Sequence, residues 1–474
     1  MSILFTIISE TNPVKPGDAE ALLKPLGLTV DPAEVQDFHT LLAAVHDCAE
    51  GYPRENVRRP SEKEQVLGQA WAHRFLIRVN PQGGPLAGKS ISLKDVIAVG
   101  GVPQLLGSDI IPSWTPTTDA TVVTRLLDAG ADIHGTSTCE NLCHSTSSYT
   151  SAQGTVENPH APGCSAGGST SGGAALVAAG VGIKPTYGRV PFTGFASGDG
   201  MNDHAGPLTR TTLEAAICLD VISGYDGIDD RALDGFKVGI LAEGLNHSAV
   251  NPHVKDAVFA AAQKFNDLGA TFEEVSLPEH LQGPAIWTIQ QRIAGAQTLL
   301  GQNTGRRGLY MTGMECARLP WTDDGFQRAF PSTKNVIING LYLMEHFPDL
   351  YGKTANIGRL LSEKSEALFE KYDILIMPTT PVVAPRHGKR ELPLDSPKPS
   401  VGLTIKTAIF NVTGHPALSI LVGFAPARED GQVMLPFGMQ IVGGLWQEEK
   451  ILRAGHIWET HFDWKKMHYS TDRN

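Results

Sequence analysis

Three things are scarce in this 474-residue chain: cysteine, uninterrupted apolar runs and an excess of basic charge. The six cysteines, Cys48, Cys139, Cys143, Cys164, Cys218 and Cys316, are too few for the disulfide framework of a small secreted fold, and they fit a reducing, cytoplasmic setting. No run reaches the roughly 18 apolar residues that a membrane span needs. The opening MSILFTIISE has an apolar stretch, but no basic residues precede it and Glu10 interrupts it, so a secretory signal is not expected. Lys and Arg number 39 against 50 Asp and Glu, a net charge of −11, which argues against a protein that grips a phosphate backbone. Nucleic acid and membrane are therefore unexpected partners. Metal-ligand spacing is equally thin: Cys139, Cys143 and His144 lie close together, but no second Cys/His pair completes the set, and no metal is expected.

Glycine, by contrast, is plentiful, with 50 residues spread along the chain, and 41% of residues are hydrophobic. That suits a globular α/β protein with many tight turns. Residues 1–85 read as a helical segment. Asp31-Pro32-Ala33-Glu34 supplies a helix cap, a proline and an acid, and Val35, Phe38, Leu42 and Val45 follow at helical spacing. The basic run from Arg54 to Arg59 reads as a solvated loop. Beyond residue 85 strands and helices alternate. Ile91 to Leu93 is a short buried strand, Asp119 to Asp128 an amphipathic helix stopped by Gly130, and Asp132 to Gly135 a strand. Thr212 to Ile222 reads as a helix, Phe236 to Leu241 as a strand, Val254 to Leu268 as a helix ending at Gly269, and Thr271 to Val275 as a second strand. The stretch from Pro385 to Pro399 is a surface excursion, and the tail after Trp464 is polar.

The chemistry concentrates between Gly163 and Pro191, in GCSAGGSTSGGAALVAAGVGIKPTYGRVP. Glycines and serines crowd the first part, where a backbone can take conformations that a Cβ forbids, and a small apolar helix follows. The run Gly167 to Gly173, then the Ala-rich helix, then Lys184 to Val190, resembles the amidase signature family. Residues 86–103, His204 to Arg210, Tyr372 to Pro381, Asn411 to Ala417 and Phe437 to Gly443 continue the resemblance, so that it covers roughly residues 70–455. It implies one large α/β domain over 86–474, a mixed sheet covered by helices on both faces. It also implies hydrolysis of a carboxylic amide to an acid and ammonia or an amine through a Ser-Ser-Lys triad, without metal or organic cofactor. The partner would be a small-molecule amide. Some members carry N-terminal helical additions that assist dimerisation, which brings a homodimer into view.

On that resemblance Lys94 takes the place of the triad's base and Ser169 that of its bridging serine, held on a cis peptide. Burial beside Ser169 would lower the lysine pKa enough to accept a serine proton. The family then runs from the Ala-rich helix into a strand and a second Gly-Ser turn, which carries its acyl-forming serine and its oxyanion-hole amides. Here only Val181, Gly182 and Ile183 separate Gly180 from Lys184, so that segment is missing and no residue matches the family nucleophile. Thr193 lies at the family's spacing from Ser169 but aligns with residues beyond the gap, and Ser171 belongs to the bridging-serine turn. Ser197 with Asp203 and His204 offers a Ser-His-Asp set, but no G-x-S-x-G elbow carries Ser197. Three readings follow: an amidase shortened and impaired at this point, a noncatalytic amidase-like binding protein, or one component of a transamidation complex that works with other chains.

Overall fold

The computed structural model of the protein describes residues 9–26, 29–50, 69–79, 83–111, 113–178, 180–223, 233, 235–303, 310–388, 399, 401–428 and 430–468, with backbone alone for 45–50. The first eight residues, the basic run 54–59, residues 389–398 of the surface excursion and the tail residues 469–474 lie outside them.

The chain divides into two compact units, 1–57 and 58–474. In the first, α1 (Asp18–Leu23) and α2 (Val35–Glu50) bear out the helical pattern. The Asp31 carboxylate accepts the Ala33 N–H at 2.9 Å, satisfying a backbone donor ahead of the first full turn. The helical character does not extend to residue 85. Trp71–Ile77 forms a strand, β1, that pairs antiparallel with β3 (Asp132–Ser137) and belongs to the second unit. Its short run, WAHRFLI, has no clean alternation, so it is the neighbouring strand's backbone that decides its state.

In the second unit β2 (Ser90–Lys94) lies parallel to β3, giving a three-stranded sheet in the order β1-β3-β2. The connection between them contains α3 (Thr121–Asp128), which buries Val122, Val123, Leu126 and Leu127 on one face and stops at Gly130, φ 89°. Two short strands, β4 (Glu157–Asn158) and β5 (Ala161–Ser165), form a hairpin. Then come α4 (Ser171–Val177), β6 (Val181–Lys184), β7 (Leu208–Thr209) and α5 (Thr212–Ser223).

The large sheet is completed by β8 (Lys237–Leu241), β9 (Thr271–Val275), β10 (Ile374–Pro378), β11 (Ala417–Pro426) and β12 (Met434–Val442), in the order β7-β6-β11-β12-β10-β8-β9. It is mixed: β10, β8 and β9 run parallel, while β12, β11, β6 and β7 pair antiparallel. Every residue of β10 is buried, as expected of a strand covered on both faces. Ile374 and Ile376 pack into one apolar core with Val254, Ala257 and Trp458, while Leu375 and Met377 pack into another with Ile286, Leu361 and Phe410. The period-two alternation of side chains thus sends successive residues of one strand into two helical layers.

Candidate active site

The Lys94 ammonium, at the end of β2, donates to the Ser169 hydroxyl across 2.7 Å. Each side of this pair is fixed by its own element. Asp95, the residue after Lys94, is buried, and its carboxylate accepts the Leu105 and Leu106 N–H groups at 2.9 and 2.7 Å, while its own N–H donates to the Ser137 carbonyl. Burial drives the pKa of the Asp95 carboxyl up to about 8. These bonds hold the chain as it leaves the strand. Ser169 follows a cis peptide from Gly168, in the turn that enters α4. Glycine is required at 168 because a Cβ there would lie 2.2 Å from the Ser147 carbonyl oxygen. Gly172 lets α4 press against β3: its N–H donates to the Thr138 carbonyl at 2.9 Å, and a Cβ would meet the Ala70 oxygen at 2.2 Å.

Glu140 ties these pieces together, and its role is not visible in the sequence. Fully buried, it accepts the Thr150 N–H at 2.8 Å, the Thr150 hydroxyl at 2.6 Å and the Ser171 hydroxyl at 2.7 Å. Its backbone N–H donates to the Ser169 carbonyl at 3.1 Å, and its carbonyl accepts the Cys143 N–H at 2.8 Å. Burial raises the carboxyl pKa to about 7, against the pull of the Thr150 and Ser171 hydrogen bonds. The Ser/Thr-rich stretch after it serves two ends. Ser145 and Thr146 face the cavity described below, whereas Ser148 is buried and bonds the Val156 carbonyl at 2.7 Å.

Lys94 and Ser169 open on a cavity of about 1590 Å³, with Cys143 in the same wall. Both sheets line it: β2, an edge of the small sheet, with His134 and Ser137 of β3, and β7, an edge of the large sheet, with residues of β6, β11 and β12. The helix Gly283–Leu299 contributes Trp287, Gln291 and Arg292, in a region whose sequence carries little functional signal. Across the cavity, burial lowers the pKa of the Lys184 amine to about 7, and its Nζ donates to the Pro185 carbonyl at 2.9 Å.

The other sequence candidates are placed differently. Ser171 is buried and its hydroxyl is committed to Glu140. Thr193 is not among the cavity's lining residues, and its carbonyl accepts the Thr121 N–H at the start of α3. Ser197 donates directly to Asp203 at 2.8 Å, while His204 turns its Nδ1 to the Asn202 carbonyl, so no histidine stands between serine and aspartate. Among the described residues no group of three or more His, Cys, Asp or Glu is placed to hold a metal ion.

The segment between α4 and β6 is as short as the sequence implies. Ala178 ends the helix in the left-handed conformation, φ 61°, and the chain enters β6 at Val181.

The Amidase family model matches residues 62–181 and 180–452, in two stretches that meet where α4 passes into β6. The chain belongs to this family. It is 36% identical over 416 residues to an enantioselective amidase of Rhodococcus rhodochrous, covering 76% of this chain and 77% of the relative. It is 30% identical over 442 residues to a glutamyl-tRNA(Gln) amidotransferase subunit of Synechococcus sp. (strain RCC307), covering 84% and 89%. In fold it matches a 6-aminohexanoate cyclic dimer hydrolase with a TM-score of 0.67 at 21% identity, over 82% of this chain and 87% of the other. The corresponding glutamyl-tRNA(Gln) amidotransferase subunit of Thermotoga maritima matches with a TM-score of 0.64 at 24% identity, over 81% and 85%.

Proposed function

We propose that this chain carries the proton-transfer half of an amide-hydrolysing site, with Lys94 as base and Ser169 as relay, and that turnover of amides is impaired because no residue matches the family's acyl-forming serine. The observation that carries this reading is the 2.7 Å bond from Lys94 to Ser169 in the wall of a cavity large enough for a small amide. The division of the family match at residues 180–181 supports the impairment, as does the commitment of Ser171 to Glu140. Nucleophilic attack and oxyanion stabilisation act together in such sites, and loss of one oxyanion donor alone typically costs about 10²–10³ in rate. The substrate is a small carboxylic amide, and no step calls for a cofactor. Five described cysteines are free thiols, which supports a cytoplasmic location.

A noncatalytic binding role is the second reading, favoured by the same cavity persisting where no residue matches the family nucleophile. One paired experiment separates the two. The chain and a version with an amidase-type strand and Gly-Gly-Ser turn inserted between Gly180 and Lys184 are assayed against aliphatic and aromatic amides. Lys94-dependent hydrolysis by the lengthened chain alone supports the impaired amidase. Retention of amides by both without turnover supports the binder. Robust Lys94-dependent hydrolysis by the unmodified chain overturns the impairment, and Ser171→Ala and Thr193→Ala then locate the attacking group.

A further inference from the structure

Five lysine and arginine side chains line the cavity, and four of them are either partnered or in water. Lys94 donates to Ser169 and Lys184 to the Pro185 carbonyl, while Lys89 and Arg210 are exposed, with Lys89 paired to Glu214 at 3.1 Å. Arg292 is the fifth. It is only partly exposed, and among the described residues its guanidinium has neither a hydrogen-bond nor an ion-pair partner. The carboxylates that line the cavity are engaged elsewhere: Glu214 with Lys89, and Asp203 with the Ser197 hydroxyl and the Gly198 and Asp199 N–H groups at 2.8, 2.7 and 2.9 Å. A guanidinium drawn out of water without a counter-charge is costly, so a wall that keeps one is suited to an anion that arrives with the ligand.

The helix Gly283–Leu299 aims this side chain. Its residues that line the cavity, Trp287, Thr288, Gln291 and Arg292, recur at the i, i+4 spacing and share one face. Another flank is tied down, since Gln290 accepts the Asn202 amide at 2.9 Å and the Thr298 hydroxyl donates to the Gly198 carbonyl at 2.8 Å. Gly295, about one turn beyond Arg292, lies against His144, where a Cβ would meet the imidazole Cε1 at 3.3 Å. Ser145, the next residue, lies against the Ser169 turn, its carbonyl oxygen 2.9 Å from the place of a Gly168 Cβ. The Arg292 face and the Lys94–Ser169 pair therefore occupy adjoining stretches of one wall.

We propose that Arg292 receives a carboxylate carried by the amide substrate, so that the site takes amides of acidic molecules, monoamides of dicarboxylic acids above all, in preference to neutral amides. This rests on the reading of the cavity as an amide site with Lys94 and Ser169 at its reacting end. A guanidinium presents its N–H groups as a planar fork that matches both oxygens of a carboxylate, and such charge-assisted pairs are stronger than neutral hydrogen bonds. His144 does not compete for the anion: burial and the charges of Arg292 and Arg318 lower its pKa to about 4, so it is neutral at pH 7. Burial lowers the Arg292 pKa as well, with no carboxylate acting against it, but a guanidinium starts high enough to stay charged.

Binding, unlike turnover, can be read in the unmodified chain by calorimetric titration. The probes are the monoamides of succinic, glutaric and adipic acid, each set against its neutral diamide. For the monoamide whose length spans the site, binding about tenfold tighter than that of its diamide is expected at pH 7 and low ionic strength. Arg292→Gln is expected to remove that preference and Arg292→Lys to restore part of it, because lysine keeps the charge but loses the fork. Equal affinity of every monoamide and its diamide for the unmodified chain overturns the proposal without recourse to a variant. So does a preference that survives Arg292→Gln, and its loss in Lys184→Gln would then give the anion to Lys184. The proposal and the reading beneath it fail separately. Hydrolysis of neutral amides by the lengthened chain, with no monoamide preferred, sinks the carboxylate site and leaves the amidase reading standing. Arg292-dependent binding of a monoamide, with no Lys94-dependent hydrolysis by the lengthened chain, does the reverse.

Discussion

The two ends of α4 are built differently. At its start the Ser169 to Ser171 turn is bonded on every side: Ser169 to Lys94 and Glu140, Gly172 to Thr138, and Ser171 to Glu140. At its finish a left-handed alanine leads directly into β6, and β2 and β7 face the cavity as the edges of separate sheets. The first end is a buried polar network in which each member satisfies another; the second is held by fewer side chains, with the His160 imidazole bonded to the Ala178 carbonyl at 2.7 Å. A polar network buried this fully is costly to break, since each group left behind loses water as well as its partner. The junction can be altered at far lower cost.

The largest expected effect therefore lies at Glu140. Glu140→Ala strands the Thr150 N–H, the Thr150 hydroxyl and the Ser171 hydroxyl in a buried site, and should lower stability by about 3 kcal/mol in denaturant unfolding. A loss under about 1 kcal/mol would mean that water or a neighbour takes over the bonds.

A subtler change at the same residue tests the charge. Burial moves the Glu140 carboxyl pKa from its ordinary 4.5 up to about 7, so between those values the folded chain keeps a proton that the unfolded chain has released. Its contribution to stability accordingly falls as pH rises across that window and levels off above it. Glu140→Gln removes the titration. The melting temperature of the variant minus that of the parent should rise from about pH 4.5 to 7 and stay flat at higher pH. A difference that does not change over that range would mean that the carboxyl titrates normally.

At the other end of α4 the expected change is small and of opposite sign. Ala178 holds a conformation that costs an L-residue roughly 1–2 kcal/mol, part of which glycine returns in unfolded-state entropy. Ala178→Gly should raise stability by about 0.5 kcal/mol, and a decrease would show that the alanine methyl makes a compensating contact.

Much of the local structure was legible along the chain because it depends on near neighbours. The Asp31 start signal, the short strand before Lys94 and the Gly130 and Gly269 stops all express apolar runs, caps and glycine at positive φ. So was the pairing of Lys94 with Ser169, through a resemblance carried by their separate flanks, although they are 75 positions apart. Residues 71–77 read wrongly because a short, mixed run takes its state from the strand beside it.

The sequence by itself determined which chemistry-bearing residues the chain possesses, the state of the segments with clear periodicity and caps, and where the connection between α4 and β6 is short. Only the tertiary structure decided what those residues are free to do. Ser171 belongs to the bridging-serine turn and is held by Glu140; Thr193 had suggestive spacing and is not among the cavity's lining residues; Cys143 looked like part of a weak metal cluster and lines the cavity with Lys94 and Ser169 instead. The reason is physical: a hydroxyl or thiol is defined by the donors, acceptors and charges within a few ångströms of it, and residues as distant in sequence as 94, 140 and 169 supply these only after the chain has folded.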